Sequence, residues 1–315
     1  MNKEFSIIFI VGPTCTGKTG VSIELANFIN AEIISADSMQ VYKGLDIGTA
    51  KPLSGELAAV PHHLIDTLRI SENYNVSLFC EKSLSCIEYI FSRGRNVIVS
   101  GGTGMYIRGL IDGIVESPPP DKEFRNEILE EGPEILYERL KEVDARAAEK
   151  IHPNNVRRVI RALEFFHASG KKFSSETCKW EAFDNEKIAG RKYRIFGLLM
   201  ERDELYKRID SRVDKMIQKG LVKEAEKVLK NKKFKHSTAS QAIGYKEFVK
   251  YFEHEITLEK AVENLKKNTR NFAKRQLTWF RKDERIEWIN INAETKPEKI
   301  ANVILKKLEK NEENY

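Results

Sequence analysis

Apolar residues in the first third of the chain follow two patterns. Mainly apolar runs at 6–11, 31–36 and 96–100 predict strands, and apolar positions at helical spacing predict helices at 19–30 and 77–91. Strands that are apolar on both faces and alternate with helices are typical of a parallel sheet. We therefore predict an α/β fold in which helices flank a parallel sheet.

The middle of the chain departs from this alternation. Three prolines follow Ser117, and every periodic stretch from 121 to about 173 is helical. An apolar run at 193–200 then predicts a strand that returns the chain to the sheet. The predicted domains are a core domain, 1–117 with 192–315, and an inserted all-helical domain, 118–191.

Composition excludes several classes of protein. With 315 residues, 41% of them hydrophobic, the chain can bury one large core or two smaller ones, unlike a disulfide-stapled miniprotein or a disordered chain. The longest apolar run, 7–11, is far shorter than the roughly 20 residues that cross a membrane. We predict no signal peptide, no membrane partner, a cytoplasmic location and reduced cysteines.

Positive charge is concentrated in the last part of the chain. Residues 192–315 contain 30 Lys and Arg against 20 Asp and Glu, although the whole chain has a net charge of only +6. Charged helices are predicted through 202–282 and a frayed polar tail at 306–315. The basic segment indicates a polyanionic partner.

The segment between the first predicted strand and helix fits the phosphate-loop motif G-x-x-x-x-G-K-[ST]. In such a loop, backbone N–H groups face phosphate oxygens, Lys18 adds a positive charge and the Thr19 hydroxyl can bind Mg²⁺, which we expect as a cofactor. This predicts a P-loop-type sheet. The residues predicted to bind a diphosphate or nucleotide are Gly12, Pro13, Thr14, Cys15, Thr16, Gly17, Lys18 and Thr19.

Features of GTPases and ordinary ATPases are missing from the sequence. There is no N-K-x-D motif, because the similar stretch at 231–234 ends in Phe. The strand at 97–100 is followed by Gly101, where an ATPase would place an Asp for Mg²⁺. The loop is thus compatible with a diphosphate that does not undergo phosphoryl transfer.

Two polar residues follow predicted strands. Asp37 ends the second strand and Thr103 follows the third, and in an open parallel sheet ligands lie at the carboxyl ends of strands. Asp37 could act as a general base, bind Mg²⁺ or cap the following turn. Spacing alone does not decide among these roles.

The segment from Lys266 to Lys282 has seven basic residues and no acidic one. Aromatic residues lie among them, and polar residues recur at helical spacing. This stripe could follow a phosphate backbone or could be a solvated helix face.

Taken together, these motifs resemble the tRNA dimethylallyltransferase (tRNA isopentenyltransferase) family. The matching stretches run in the family's order and cover nearly the whole chain: 12–19, 36–52, 61–66, 101–106, 152–164, 268–270 and 273–281. Met105 and Lys43 replace the family's more usual Leu and Arg. The resemblance implies transfer of a dimethylallyl group from dimethylallyl diphosphate to N6 of the adenosine 3′ of the anticodon of tRNA, by an enzyme expected to be a monomer.

The resemblance also implies roles for single residues. Asp37 would accept a proton, Thr103 would stabilise the departing diphosphate, and Arg212 would contact that diphosphate. Contacts to the tRNA anticodon stem-loop are implied for Asp37, Ser38, Met39, Gln40, Arg125, Arg157, Arg158, Val159, Ile160, Arg161, Lys274, Arg275, Gln276, Thr278, Trp279, Phe280 and Arg281.

Two other functions remain compatible with the residues. A small-molecule or nucleotide kinase would explain the phosphate loop but would leave the basic helix without a role. A nucleotide-gated RNA-binding protein would explain both features but would not need Asp37.

Overall fold

A computed structural model of the chain describes residues 6–114, 118, 121–175, 188 and 191–312. The chain forms two compact units, Met1–Leu110 with Gly190–Tyr315 and Ile111–Ala189. No helix within the described ranges is both long and apolar enough to cross a membrane.

The first unit is built on a six-stranded parallel sheet. Its strands are β1 (Ile7–Val11), β2 (Ala31–Ser35), β3 (His62–His63), β4 (Asn96–Gly101), β5 (Tyr193–Met200) and β6 (Ile286–Ile291). The strand order is β3-β2-β4-β1-β5-β6. Every residue of β1 and β2 is buried, as expected for strands covered on both faces. The predicted α/β fold is confirmed.

Helices follow most of the strands. Those of the first unit are α1 (Lys18–Ile29), α2 (Ser54–Ala59), α3 (Val76–Ser92), α4 (Gly104–Asp112, which crosses into the second unit), α9 (Arg202–Gln218), α10 (Leu221–Leu229), α11 (Val249–Phe252), α12 (Leu258–Phe280) and α13 (Pro297–Glu312). The described helices of the second unit are α5 (Lys122–Leu129), α6 (Pro133–Val143), α7 (Ala145–Lys150) and α8 (Val156–Ser169). Side chains from all four of these helices form a separate core.

Strand order brings three loops together. β4 lies between β1 and β2, so the loops that follow these strands leave the sheet side by side. The backbone links them: Ala36 N–H donates to the carbonyl of Ser100 at 2.8 Å, and Thr103 N–H donates to that of Ala36 at 3.3 Å. The phosphate loop, Asp37 and the glycine-rich segment after β4 are therefore neighbours.

The tail that the sequence predicted to be frayed is helical over most of its length. Residues 306–312 belong to α13, which packs on α1 with Ile300, Ala301 and Ile304 buried. Residues 313–315 lie outside the described residues. Apolar side chains on one face of this charged helix keep it on the sheet.

Candidate active site

The phosphate loop connects β1 to α1. Gly12 and Gly17 have φ of 141° and 85°, values that favour glycine. A Cβ on Gly12 would lie 2.8 Å from the carbonyl oxygen of Leu198, so glycine is also required by space. The buried Thr16 hydroxyl donates to the carbonyl of Pro13 at 2.9 Å. The loop is thus shaped by its own contacts.

Lys18 lies at the start of α1 and points back into the loop. Its Nζ donates to the carbonyl oxygens of Gly12 and Pro13 at 2.9 and 2.7 Å. Burial lowers the pKa of Lys18 to about 8. The nearby Asp37 carboxylate acts to raise this pKa, and the Arg212 guanidinium lowers it further. A partly desolvated cation whose hydrogen bonds within the described part of the chain go to carbonyl oxygens is well placed to bind an anion.

A cavity of about 130 Å³, which we call the polar cavity, opens on the loop. Its lining residues are Thr14, Cys15, Gly17, Lys18, Thr19, Ser35, Asp37, Gln40, Thr49, Ala50, Ser100, Gly101, Gly102, Arg212, Phe272 and Gln276. Five of the eight predicted loop residues line this cavity. The other three, Gly12, Pro13 and Thr16, do not line it but contribute to the conformation of the loop. Arg212 reaches the loop from α9, with Nη1 3.3 Å from both Thr14 Oγ1 and Cys15 Sγ. Its hydroxyl groups and positively charged side chains make the polar cavity suitable for binding phosphate oxygens.

A larger cavity of about 350 Å³, which we call the apolar cavity, adjoins it. Its apolar lining residues are Met39, Ile209, Val213, Met216, Ile243, Leu265 and Phe272. Sequence reasoning predicted Arg212 of α9 but missed the apolar residues of this helix, although Ile209, Val213 and Met216 follow the i, i+4, i+7 spacing of one helix face. Ser38 also lines this cavity, as does Arg275 of α12. The apolar cavity suits a hydrocarbon group or a base.

Asp37 lines both cavities. Its Oδ1 accepts hydrogen bonds from the backbone N–H groups of Met39 and Gln40 at 2.8 and 3.2 Å. This is the capping role that the sequence left open, and it fixes the orientation of the carboxylate. Among the described residues, Oδ2 accepts no hydrogen bond, so it is available to a ligand between the cavities.

Gln40 and Thr103 make contacts that the resemblance did not imply. The Gln40 side-chain amide donates to the carbonyls of Thr49 and Ala50 at 3.2 and 3.3 Å, and it therefore braces the cavity wall. Thr103 begins the turn into α4 and lines neither cavity. Ser100, the penultimate residue of β4, does line the polar cavity, and its hydroxyl accepts a hydrogen bond from the Ser22 hydroxyl at 2.8 Å.

Helix α12 contributes to the site from a distant part of the sequence. The buried Gln276 side chain accepts from Thr14 N–H at 2.8 Å and donates to the Gly102 carbonyl at 2.9 Å. A Cβ on Gly104 would lie 2.1 Å from the Trp279 ring, so only glycine fits beneath this indole. Gln276 therefore links α12 to both loops of the polar cavity.

Burial corrects four of the implied tRNA contacts. Gln276 and Phe280 of α12 are 7% and 2% exposed, and Val159 and Ile160 of α8 are 0% and 8% exposed. The side chains of Val159, Ile160 and Phe280 pack inside the protein, and that of Gln276 faces the polar cavity, so none of the four lies on the outer surface.

The charges of α12 divide into paired and unpaired groups. Lys266 and Arg270 form salt bridges with Asp214 and Asp210 of α9 at 2.6 and 2.7 Å. The acidic partners that the segment 266–282 lacks are thus provided by the neighbouring helix α9. Lys274, Arg275 and Arg281 are exposed and form no salt bridge with any described residue. Thr278 and Trp279 are exposed beside them. These five residues form a continuous surface, which we call the basic stripe.

In the second unit, four predicted arginines have two kinds of environment. Arg157 and Arg158 are exposed on α8. Arg125 and Arg161 instead bind Glu164, whose side chain is fully buried; Arg125 Nε is 2.8 Å from its Oε1. Arg161 also donates to the Pro118 carbonyl at 2.8 Å. Arg125 and Arg161 therefore hold the second unit together, a role that the sequence did not predict.

Known proteins similar to this chain share one family. The IPP transferase family model matches residues 40–283. The tRNA dimethylallyltransferase of Carboxydothermus hydrogenoformans is 47% identical over 306 residues, which cover 95% of this chain and 96% of that protein. The corresponding protein of Anoxybacillus flavithermus is 44% identical over 304 residues, 96% of each chain.

Solved structures show the same relationship. A tRNA isopentenylpyrophosphate transferase from Bacillus halodurans is 40% identical with a TM-score of 0.69, and the match covers 98% of this chain and 99% of that one. A eukaryotic dimethylallyltransferase acting on tRNA is 30% identical with a TM-score of 0.80, over 98% of this chain and 80% of that one. The fold, the paired cavities and these similarities lead to one conclusion: the chain belongs to the IPP transferase family.

Proposed function

We propose that this chain transfers the dimethylallyl group of dimethylallyl diphosphate to N6 of the adenosine 3′ of the anticodon, position 37 of tRNA, giving N6-isopentenyladenosine and diphosphate. The names of its relatives support this reaction. The observation that carries it is that the polar cavity and the apolar cavity meet at Asp37. A diphosphate and an allyl group need such adjoining environments.

The polar cavity would bind the diphosphate of the donor. Lys18 and Arg212 supply positive charge, and the hydroxyls of Thr14 and Thr19 and the loop N–H groups supply hydrogen bonds. As the bond between allylic carbon and oxygen breaks, negative charge grows on the departing diphosphate, where these groups stabilise it. The phosphate anhydride remains intact, so no phosphoryl-transfer machinery is needed.

Asp37 would act on the adenine amine. The exocyclic N6 is a weak nucleophile, and a carboxylate that accepts its proton assists attack on the allylic carbon. Oδ1 is held by two backbone N–H groups, which leaves Oδ2 to receive the proton. The N6–carbon bond forms as the carbon–oxygen bond breaks, and the proton moves from N6 to Asp37. The target base has to leave the anticodon loop to reach this point.

The polar cavity also has oxygen ligands suitable for Mg²⁺. Thr19 and Asp37 both line it, and Mg²⁺ typically uses one or two protein oxygens together with phosphate oxygens and water. The described residues contain no group of three or more His, Cys, Asp and Glu placed to hold a metal alone, which agrees with a metal shared with the substrate. Bound Mg²⁺ would neutralise negative charge on the diphosphate.

One incubation tests the proposed reaction. Purified protein is mixed with Mg²⁺, radiolabelled dimethylallyl diphosphate and unmodified tRNA whose anticodon is followed by adenosine, and the digested nucleosides are identified. Label on N6 of that adenosine is the expected result. Absence of transfer, together with phosphoryl transfer from labelled ATP to candidate acceptors, would instead support the kinase.

Donor affinity should depend on the charge of Lys18. Because its pKa is lowered to about 8, Lys18 is mostly protonated at pH 7 and mostly neutral at pH 9. We expect the affinity for dimethylallyl diphosphate, measured by calorimetry, to fall about tenfold over this interval. In Lys18→Arg the charge persists, so the pH dependence should disappear even if the absolute affinity differs. An equal decrease in wild type and variant would exclude Lys18 as the titrating group.

The basic stripe should bind tRNA through phosphates. Each phosphate contact releases counterions, so Lys274→Ala or Arg281→Ala should weaken tRNA binding and reduce its salt slope by about one. Lys266→Ala is the matched control, because Lys266 is already paired with Asp214. Binding is measured at several salt concentrations. If Lys274→Ala and Lys266→Ala give the same slope as wild type, the stripe does not contact the RNA backbone.

A further inference from the structure

Glu224 of α10 binds a loop far from it in sequence. Its Oε2 accepts from the N–H of Asp46 at 3.3 Å and of Ile47 at 2.9 Å, and its Oε1 accepts from the N–H of Gly48 at 3.0 Å. The Tyr245 hydroxyl donates to Oε1 at 2.7 Å. Four donors from two other segments thus converge on one carboxylate.

The loop held in this way forms the wall of the proposed active site. Gly48 lines the apolar cavity, and Thr49 lines both cavities together with Asp37. Ala50 has φ of 49°, which is unfavourable for a residue with a side chain, so external contacts must hold this turn. Gln40 binds the loop from the side of the polar cavity. Glu224 binds the preceding backbone N–H groups of 46–48 and lines neither cavity.

Packing leaves little freedom for this loop. A Cβ on Gly48 would lie 2.7 Å from the Tyr245 ring, and a Cβ on Gly244, where φ is 105°, would lie 3.1 Å from the Cα of Gly48. Tyr245 is fully buried, and burial together with the Glu224 charge raises the pKa of its hydroxyl, which therefore remains a donor. Glu224, Tyr245 and the loop form one hydrogen-bonded unit.

We propose that Glu224 is a positioning residue, which fixes the wall formed by Gly48 and Thr49 relative to Asp37 and so sets the rate of the transfer step. This inference rests on the proposed function. A displacement of about 1 Å in an active site can reduce the rate about a hundredfold without contact to the reacting atoms. A carboxylate suits this position because it can accept all four hydrogen bonds, which a single amide oxygen cannot.

Glu224→Gln tests the role with little change in volume. An amide turns one acceptor into a donor that faces N–H groups, so the loop should loosen. We expect kcat to fall on the order of tenfold to a hundredfold, with the donor KM and the tRNA Kd within about twofold of wild type. Tyr245→Phe removes one donor and keeps the ring, so its loss should be only about two- to fivefold.

The matched control is Glu226→Gln on the same helix, where Glu226 forms an exposed ion pair with Lys230. Amide hydrogen exchange gives a readout independent of activity: Glu224→Gln should expose the amides of 46–48 at least about tenfold more, with β4 unchanged. The proposal would be overturned if Glu224→Gln had the kcat and the amide exchange of wild type. It would also be overturned if the β4 amides lost as much protection as those of 46–48. If wild-type protein transfers no dimethylallyl group, the proposed function fails, yet the exchange result still decides whether Glu224 holds the loop.

Discussion

Asp37→Asn is expected to reduce kcat by about 10²-fold to 10⁴-fold, equivalent to about 3 to 5 kcal/mol of transition-state stabilisation. An asparagine keeps an oxygen that accepts from Met39 and Gln40 N–H, so the turn after β2 should persist. It cannot accept the N6 proton as a carboxylate does. Single-turnover transfer to tRNA, with enzyme in excess, measures this step.

The two roles of Asp37 can be separated by a second variant. Asp37→Ala removes both the general base and the capping oxygen, whereas Asp37→Asn removes only the base. The difference between the free energies of unfolding of the two variants, typically about 1 kcal/mol, therefore measures the capping interaction. The tRNA affinity of Asp37→Asn should stay close to wild type. Near-normal kcat in Asp37→Asn would leave Asp37 with a capping role only, and would favour the RNA-binding protein that does not need this carboxylate.

The fold was predictable because its strands are buried on both faces. The strand at 193–200 coincides with β5, and helices at 19–30 and 77–91 lie within one residue of α1 and α3. Two strands were missed for physical reasons. β6 includes polar Glu287 and Asn290, and β3 has only two residues. Neither gives a continuous apolar run long enough to predict a strand.

The candidate site was predictable only in its local parts. The phosphate loop is encoded by adjacent residues, and Asp37 follows from the rule that ligands lie at the carboxyl ends of parallel strands. The hydrogen bonds of Gln276 to the two loops and of Glu224 to the backbone of 46–48 were not predictable, because these partners are more than 170 residues away in sequence. The basic stripe was predicted with too many members, since the sequence could not show which face of α12 carries Gln276 and Phe280 into the protein.

Glu164→Gln is expected to destabilise the second unit by about 3 kcal/mol. The Glu164 side chain is fully buried, and it also accepts from the backbone N–H of Asp121 at 2.7 Å. Removal of one partner from a buried ion pair leaves charge uncompensated at a cost of about 3 to 5 kcal/mol. The lower value applies because Arg125 and Arg161 are 37% and 26% exposed and can reach water.

Acid should have the same effect as this substitution. Burial alone would raise the pKa of Glu164, but hydrogen bonds from Arg125, Arg161 and the Asp121 backbone outweigh it and lower the pKa below 4.5. Because the folded value is lower than the unfolded one, the carboxylate stabilises the unit fully above about pH 4.5, and this contribution is lost as pH falls through the folded value.

Hydrogen exchange of the intact chain measures both effects. The α8 amides should exchange about a hundredfold faster in Glu164→Gln at neutral pH, while β4 amides stay protected. Glu149 is exposed on α7, so Glu149→Gln should leave the exchange of both α8 and β4 amides unchanged. Arg157→Ala and Arg158→Ala should also leave the α8 amides protected. Wild-type exchange in Glu164→Gln would mean that Arg125 and Arg161 are not committed to Glu164 and are available to RNA. Faster exchange confined to α8 and the helices packed on it would show that Arg125 and Arg161 hold the second unit together. A loss of tRNA binding when either arginine is substituted would then result from a change in the structure of that unit.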